Sequence, residues 1–351
     1  MPLNEQVPIA VLTGFLGSGK TTVLNYLLRH AAMAQAVIIV NEFGEIGIDH
    51  ELIESVNEDS ILLQSGCLCC TIRNDLIETL ERLVQRRSAG DARAFDRVVI
   101  ETTGLADPAP ILQTLMVDPF VTAHFRLEGL VTTVDAVVGQ GTLDRHLEAV
   151  KQAALADRII LTKTDVAASD ECSAIERRLR AINRVAPIVR ARNGEVDPSL
   201  LFDLQSYDPA TKNLDAKRWL NAELYADDET KPDSREHVSH RHAHDATRHG
   251  DRIHAFCLVI ERPISGEQFD RWLTELLRFR GPDLLRFKAI VNIAELSAPL
   301  VIQGVQHVVY PPTALKAWPS ADRRTRMVFI THDIDEQLLR DSLKPLTDHA
   351  A

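Results

Sequence analysis

Gly14-Phe15-Leu16-Gly17-Ser18-Gly19-Lys20-Thr21-Thr22 is the stretch on which the fold class turns. It reads Gly, four residues, then Gly-Lys-Thr, the spacing of a phosphate-binding loop. An apolar run of strand length, Val7-Pro8-Ile9-Ala10-Val11-Leu12-Thr13, leads into it, and an amphipathic segment to about His30 follows. Strand, glycine-rich loop and helix in that order let successive backbone N–H groups curl around a phosphate at a helix N-terminus. Gly14, Gly17, Ser18, Gly19 and Thr22 form the cradle. Lys20 neutralises the β- and γ-phosphates, and the Thr21 hydroxyl is placed for Mg²⁺.

Further buried strands follow. Ala36-Val37-Ile38-Ile39-Val40 runs into residues 41–49, a loop rich in glycine and carboxylates. Glu42, Glu45 and Asp49 are candidates to contact metal or position water there, and Glu42 is preferred because it lies nearest the strand end. Asp96-Arg97-Val98-Val99-Ile100 ends at Glu101-Thr102-Thr103-Gly104. A carboxylate at such a strand end holds Mg²⁺ through water, so Glu101 takes that role and Gly104 senses the γ-phosphate. Strands at residues 130–134 and 158–161 follow, the second entering Thr162-Lys163-Thr164-Asp165. The Asp165 carboxylate can accept two hydrogen bonds from a guanine edge, and the Lys163 stem can lie over the base. Left buried and unpaired by adenine, that carboxylate would cost roughly 1–3 kcal/mol or more. Residues 186–191 supply a last strand near the base.

Between these motifs stands Gly66-Cys67-Leu68-Cys69-Cys70-Thr71, holding three of the chain's five cysteines. Three converging thiolates nearly fill the tetrahedral site that zinc or copper(I) prefers. A structural cluster and a redox-sensitive thiol pair are the alternatives. Leu76, Leu80, Leu83 and Val84 recur at helical spacing, which places the thiols in a loop just before a helix over residues 74–84.

The chain has 351 residues, 45% hydrophobic and 25% charged, enough for two domains with separate cores. No run of eighteen apolar residues predicts a membrane span. No secretory signal is visible, and the clustered, odd-numbered cysteines do not read as a disulfide framework. Reduced thiols place the protein in the cytoplasm. A net charge of −11 argues against a nucleic-acid partner.

The expected organisation is an α/β P-loop NTPase domain with a mainly parallel sheet over residues 1–208. A flexible linker (209–251) and a smaller C-terminal α+β domain (252–346) follow. The linker carries His237, His240, His242, His244 and His249; spacing of two suits an extended metal-binding ribbon, with His240, His242 and His244 the weaker ligand candidates. In the second domain strands are expected at residues 253–260, 286–293, 300–309 and 326–330. Phe269, Trp272, Leu273, Leu276 and Leu277 mark one helix, and residues 336–343 a closing one. Cys257 and His307 are assigned as core or surface residues within strands. Partner recognition or dimerisation is the expected use of this domain, which leaves a homo-oligomer open.

The residues describe a Mg²⁺-dependent nucleotide hydrolase with a thiolate metal site among its switch loops. On residues 14–22, 41–49, 66–70, 101–108 and 162–165, with the His-rich linker and residues 301–307, the chain resembles the CobW-type P-loop GTPases. That group includes metallochaperones and nitrile hydratase activators. The resemblance implies GTP-driven delivery of zinc, or of cobalt or iron in some members, to a client metalloprotein. Cys67, Cys69 and Cys70 would hold the metal, with Glu42, water or a linker histidine fourth. Thr162 departs from the usual Asn of the base-reading motif, which puts guanine selectivity in question. A metal store with a regulatory nucleotide site, a metal-insertion accessory for a nitrile hydratase or cobalamin-pathway enzyme, and a small-metabolite kinase are the competing readings.

Overall fold

Apolar runs that are buried on both faces build the first half of the chain. The structure, a computed structural model, describes residues 6–42, 60–64, 69–89, 95–201, 207–208, 213–214 and 252–348. In the first half it contains β1 (Val7–Gly14), α1 (Lys20–Leu28), β2 (Ala36–Glu42), β3 (Ser60–Gln64) and α2 (Cys69–Ala89). Then come β4 (Arg97–Glu101), α3 (Ala109–Val117), α4 (Pro119–His124), β5 (Phe125–Asp135) and α5 (Gly139–Arg145). α6 (Leu147–Leu155), β6 (Arg158–Thr162), α7 (Ser169–Ile182) and β7 (Ile188–Arg190) complete it.

Among the described residues these strands form one parallel sheet in the order β3-β2-β4-β1-β5-β6-β7. All seven carboxyl ends therefore share one edge, running Gln64, Glu42, Glu101, Gly14, Asp135, Thr162, Arg190. The chain leaves β1 toward β2 on one side and leaves β5 toward β6 on the other. Right-handed crossovers send those connections to opposite faces and open a crevice at the carboxyl edge beside β1. Val23, Leu24, Leu27 and Leu28 of α1 pack onto Leu12, Ile38, Val99, Val131 and Ile160 of five strands, so the helix after the loop is clamped to the sheet.

The helix expected from residue 74 begins at Cys69. Neither glycine nor proline stands between Cys67 and Asn74, so nothing halts the helix before it reaches back to the cysteines. Cys69 and Cys70 thus open α2 instead of preceding it. Cys67 lies outside the described residues, as do Glu45, Asp49 and His237, His240, His242, His244 and His249. Of the expected linker only Asn213–Leu214 is described, as a strand (β9) pairing antiparallel with Tyr207–Asp208 (β8).

The second half holds β10 (Ile253–Ile260), α8 (Gly266–Arg280), β11 (Arg286–Val291), β12 (Leu300–Val305) and β13 (Val308–Val309). β14 (Thr313–Ala314), β15 (Thr325–His332) and α9 (Glu336–Asp348) follow. Its sheet is antiparallel, ordered β10-β15-β11-β12-β13 with β14 on β12. Phe269, Trp272, Leu273 and Leu276 of α8 are buried with Phe256, Phe287 and Phe329 of the sheet and Leu339 and Leu343 of α9. The Trp272 indole N–H donates to Ser342 Oγ at 3.0 Å, joining the two helices.

The single strand expected over residues 300–309 is instead a hairpin. Gln306 adopts φ 54° and breaks the ladder, and His307 sits exposed in the turn, not within a strand. The chain divides into two compact units, one around each sheet. Among the described residues no helix is long and apolar enough to cross a membrane.

Candidate nucleotide-binding site

The loop between β1 and α1 is shaped by its glycines. Gly19, the residue before α1, takes φ 92°, a left-handed conformation that bulkier residues avoid. No side chain caps α1, and an uncapped helix start suits an external acceptor. The Lys20 ammonium donates to the carbonyls of Gly14 at 3.0 Å and Phe15 at 3.4 Å, folded over its own loop. Ser18, almost wholly buried, lies 2.6 Å from Thr133 Oγ1 through its hydroxyl and ties the loop to β5.

Thr21 and Glu101, eighty residues apart, meet at this edge. The Thr21 hydroxyl donates to Glu101 Oε1 at 3.3 Å, and Glu101 is 5% exposed at the end of β4. A hydroxyl and a carboxylate converging beside a phosphate loop are the hard oxygen donors that Mg²⁺ takes, and the pair fits that ion. Next along the chain, Thr102 donates its hydroxyl to Thr13 Oγ1 at 2.7 Å and its N–H to Leu12 O at 2.9 Å, locking the strand end to β1. Gly104 then passes so close to the loop that a Cβ there would stand 2.7 Å from the backbone N of Leu16. Only glycine fits.

The residues expected to face a base gather two strands away. The Thr162 hydroxyl, buried, donates to Ser18 O at 2.7 Å and lies 3.1 Å from Val134 O. Standing where Asn is usual, Thr162 thus fastens the phosphate loop to β6. Lys163 takes φ 56°, a conformation costing on the order of 1 kcal/mol. Its ammonium is held 2.6 Å from Asp135 Oδ2, and Asp135 also accepts the N–H groups of Val137 and Val138. Asp165 is exposed and accepts the N–H of Asn193 at 3.1 Å through Oδ1. The expected penalty for an unpaired buried carboxylate therefore applies only once a base covers it.

Asp135 and Asn193, which hold Lys163 and Asp165, were not among the residues expected from the sequence. Asp135 carried a usable signal, since it ends an apolar strand in the way Glu101 does. Asn193 carried none. On the other side, Glu42, Cys69 and Cys70 are described by their backbone alone. Among the described residues no group of three or more His, Cys, Asp or Glu side chains is placed to hold a metal.

A parallel sheet with a glycine-bounded loop, a lysine, and a Thr–carboxylate pair at the same edge defines a P-loop nucleotide-binding domain. Residues 8–190 match the CobW/HypB/UreG nucleotide-binding domain, and residues 253–347 match the cobalamin synthesis protein cobW C-terminal domain. The chain belongs to the CobW family. It is 33% identical over 335 residues to the zinc chaperone YjiA of Escherichia coli strain K12, covering 95% of this chain and 97% of that protein. It is 34% identical over 220 residues to zinc-regulated GTPase metalloprotein activator 1 of Schizosaccharomyces pombe, covering 60% of this chain and 52% of the relative. The crystal structure of Zn(II)-bound YjiA GTPase from E. coli superposes with a TM-score of 0.70 at 28% identity, over 97% of this chain and 99% of that one.

Proposed function

We propose that this protein is a GTP-hydrolysing metallochaperone that loads zinc, or alternatively cobalt, at Cys67, Cys69 and Cys70 and passes it to a client metalloenzyme. The observation that carries the reading is the shared edge of the parallel sheet. β3, which precedes the cysteines, lies two strands from β4 and Glu101, and β2, ending at Glu42, lies between them. Strand spacing makes that about 10 Å, close enough for one loop movement to touch both sites. The names of YjiA and the yeast activator as zinc chaperone and zinc-regulated GTPase agree with it.

The roles divide by position. Gly14, Gly17, Ser18, Gly19, Lys20, Thr21 and Thr22 bind the phosphates; Thr162, Lys163 and Asp165 bind the guanine. Thr21 and Glu101 would hold Mg²⁺, which when bound draws charge from the β- and γ-phosphate oxygens. Water attacks the γ-phosphorus as its bond to the β-bridging oxygen breaks, leaving GDP and phosphate. Lys20 swings from the Gly14 and Phe15 carbonyls to the developing negative charge, and Gly104 reports the γ-phosphate. Cys69 and Cys70 open α2, where the positive helix end favours thiolate. Glu42, water or one of His240, His242 and His244 fills the fourth position. The division into a GTPase domain (1–208), linker (209–251) and partner-recognition domain (252–346) belongs to the same reading.

The test loads the chain with zinc and follows its transfer to a chromophoric chelator. Transfer should be at least tenfold faster with GTP–Mg²⁺ than with a non-hydrolysable analogue, and absent from a Cys67/Cys69/Cys70→Ala variant that still binds GTP. Equal rates with both nucleotides would leave a metal store with a regulatory nucleotide site.

A further inference from the structure

Gln152, in the middle of α6, is a fully buried carboxamide in a position suited to an aliphatic side chain. Its Nε2 donates to two carbonyls of the segment after β4, Gly104 O at 3.2 Å and Ala106 O at 3.0 Å. Its Oε1 is buried and accepts no hydrogen bond among the described residues. A buried acceptor left empty is costly, so the side chain's only return lies in those two carbonyls. The residue itself is fixed, because its main-chain carbonyl accepts the Thr132 hydroxyl of β5 at 2.8 Å. The neighbouring Lys151 adds an ion pair to Asp107 Oδ2 at 2.8 Å, and Asp107 Oδ1 accepts the N–H of Ala109 at the start of α3.

We propose that Gln152 is the positioning residue that limits the movement of Gly104 between the nucleotide-free and GTP-bound states. The inference rests on the reading of Gly104 as the γ-phosphate sensor. With the carbonyls of Gly104 and Ala106 anchored to α6 and Thr102 tied to β1, a turn of the segment falls on the residue between. There the Thr103 carbonyl accepts the Ala106 N–H at 3.1 Å and would have to release it. The Thr103–Gly104 peptide lies at this point, and its N–H would meet the γ-phosphate. So does Thr103 Oγ1, which is buried without a hydrogen-bond partner among the described residues and so is not yet satisfied in this arrangement. Gln152 acts through Gly104 and touches no nucleotide.

The experiment measures affinities of the full chain for GDP and for a non-hydrolysable GTP analogue, with Mg²⁺, alongside thermal stability. Gln152→Glu keeps the shape but replaces the donor with a carboxylate facing two carbonyls. The preference for the analogue over GDP should fall at least tenfold while GDP affinity stays within about threefold. An unchanged preference, or equal losses for both nucleotides, overturns the proposal. If Gln152→Glu does not fold, Lys151→Met decides: it releases Asp107 and should lower the same preference two- to threefold, and no change overturns the idea. A wild-type chain with no preference between analogue and GDP would overturn the γ-phosphate reading of Gly104 and this inference with it. An intact wild-type preference with unaffected variants removes only Gln152.

Discussion

A single hydroxyl illustrates how the site depends on its supports. Thr162 donates to the Ser18 carbonyl from a fully enclosed position, so a partner must be present or the carbonyl is stranded. Thr162→Val removes the donor at constant shape and should cost about 1–3 kcal/mol, part of it as loosening of the phosphate loop. Because that loop would contact phosphates common to both nucleotides, GTP and GDP affinity should fall together, about tenfold for each 1.4 kcal/mol. Isothermal calorimetry with each nucleotide checks this, and a selective loss of GTP alone would contradict it. The contrast with Gln152 is physical: Thr162 is bonded to the loop after β1, Gln152 to the segment after β4.

At the scale of elements, the strand-loop-helix unit was readable because glycine spacing and an apolar run are both local. The helix start at Cys69 and the split of residues 300–309 were not. The first depends on the absence of a breaker, the second on one residue, Gln306, accepting a left-handed conformation that its side chain does not announce. Asp135 was missed although its place mirrors Glu101, since its partner Lys163 arrives from another strand. Gln152 was invisible, because a polar residue inside a helix shows its burial only when the sheet is assembled.

The segment entering β15 carries its own electrostatic device. Arg324 grips Asp322 with two guanidinium bonds of 3.0 Å each and with its backbone N–H, and Arg326 stands 3.6 Å away. The Arg324 hydrogen bonds hold the Asp322 carboxyl at about 2, below its usual 3.8. A folded-state value below the unfolded one stabilises above pH about 4, and the gain disappears as pH falls through about 2. Asp322→Asn should therefore lower stability at pH 7 by about 1 kcal/mol, after screening at a partly exposed site, and much less near pH 2, where the carboxyl is half protonated. Urea denaturation of both forms at the two pH values measures it; an equal deficit at pH 2 would point to packing instead.

For the molecule as a whole, the proposed placing of two ligands on one sheet edge would have a thermodynamic consequence. If GTP changes zinc affinity by some factor, zinc must change GTP affinity by the same factor. A tenfold effect corresponds to about 1.4 kcal/mol, within the usual range of coupling energies. Titrating a non-hydrolysable GTP analogue into zinc-loaded and zinc-free protein should return the factor found by titrating zinc with and without that analogue. Identical GTP affinity in the two forms would separate the sites and end the metallochaperone reading of their proximity.

The parallel sheet also has an opposite rim. There the strands begin at Val7, Ala36, Arg97, Phe125 and Arg158, and none of the nucleotide or metal candidates sits at those starts. The backbone at this end is closed locally, with the Asp96 N–H on Gln35 O at 3.1 Å. A cleft of about 760 Å³ there is lined by Tyr26, His30, Arg97, Arg126, Glu128 and Asp197 among others. That rim is the natural handle of the molecule. A fluorophore or surface tether placed on it would stand a full strand length from the nucleotide and metal candidates, so exchange of either proposed ligand could be followed on an anchored chain without the anchor taking part.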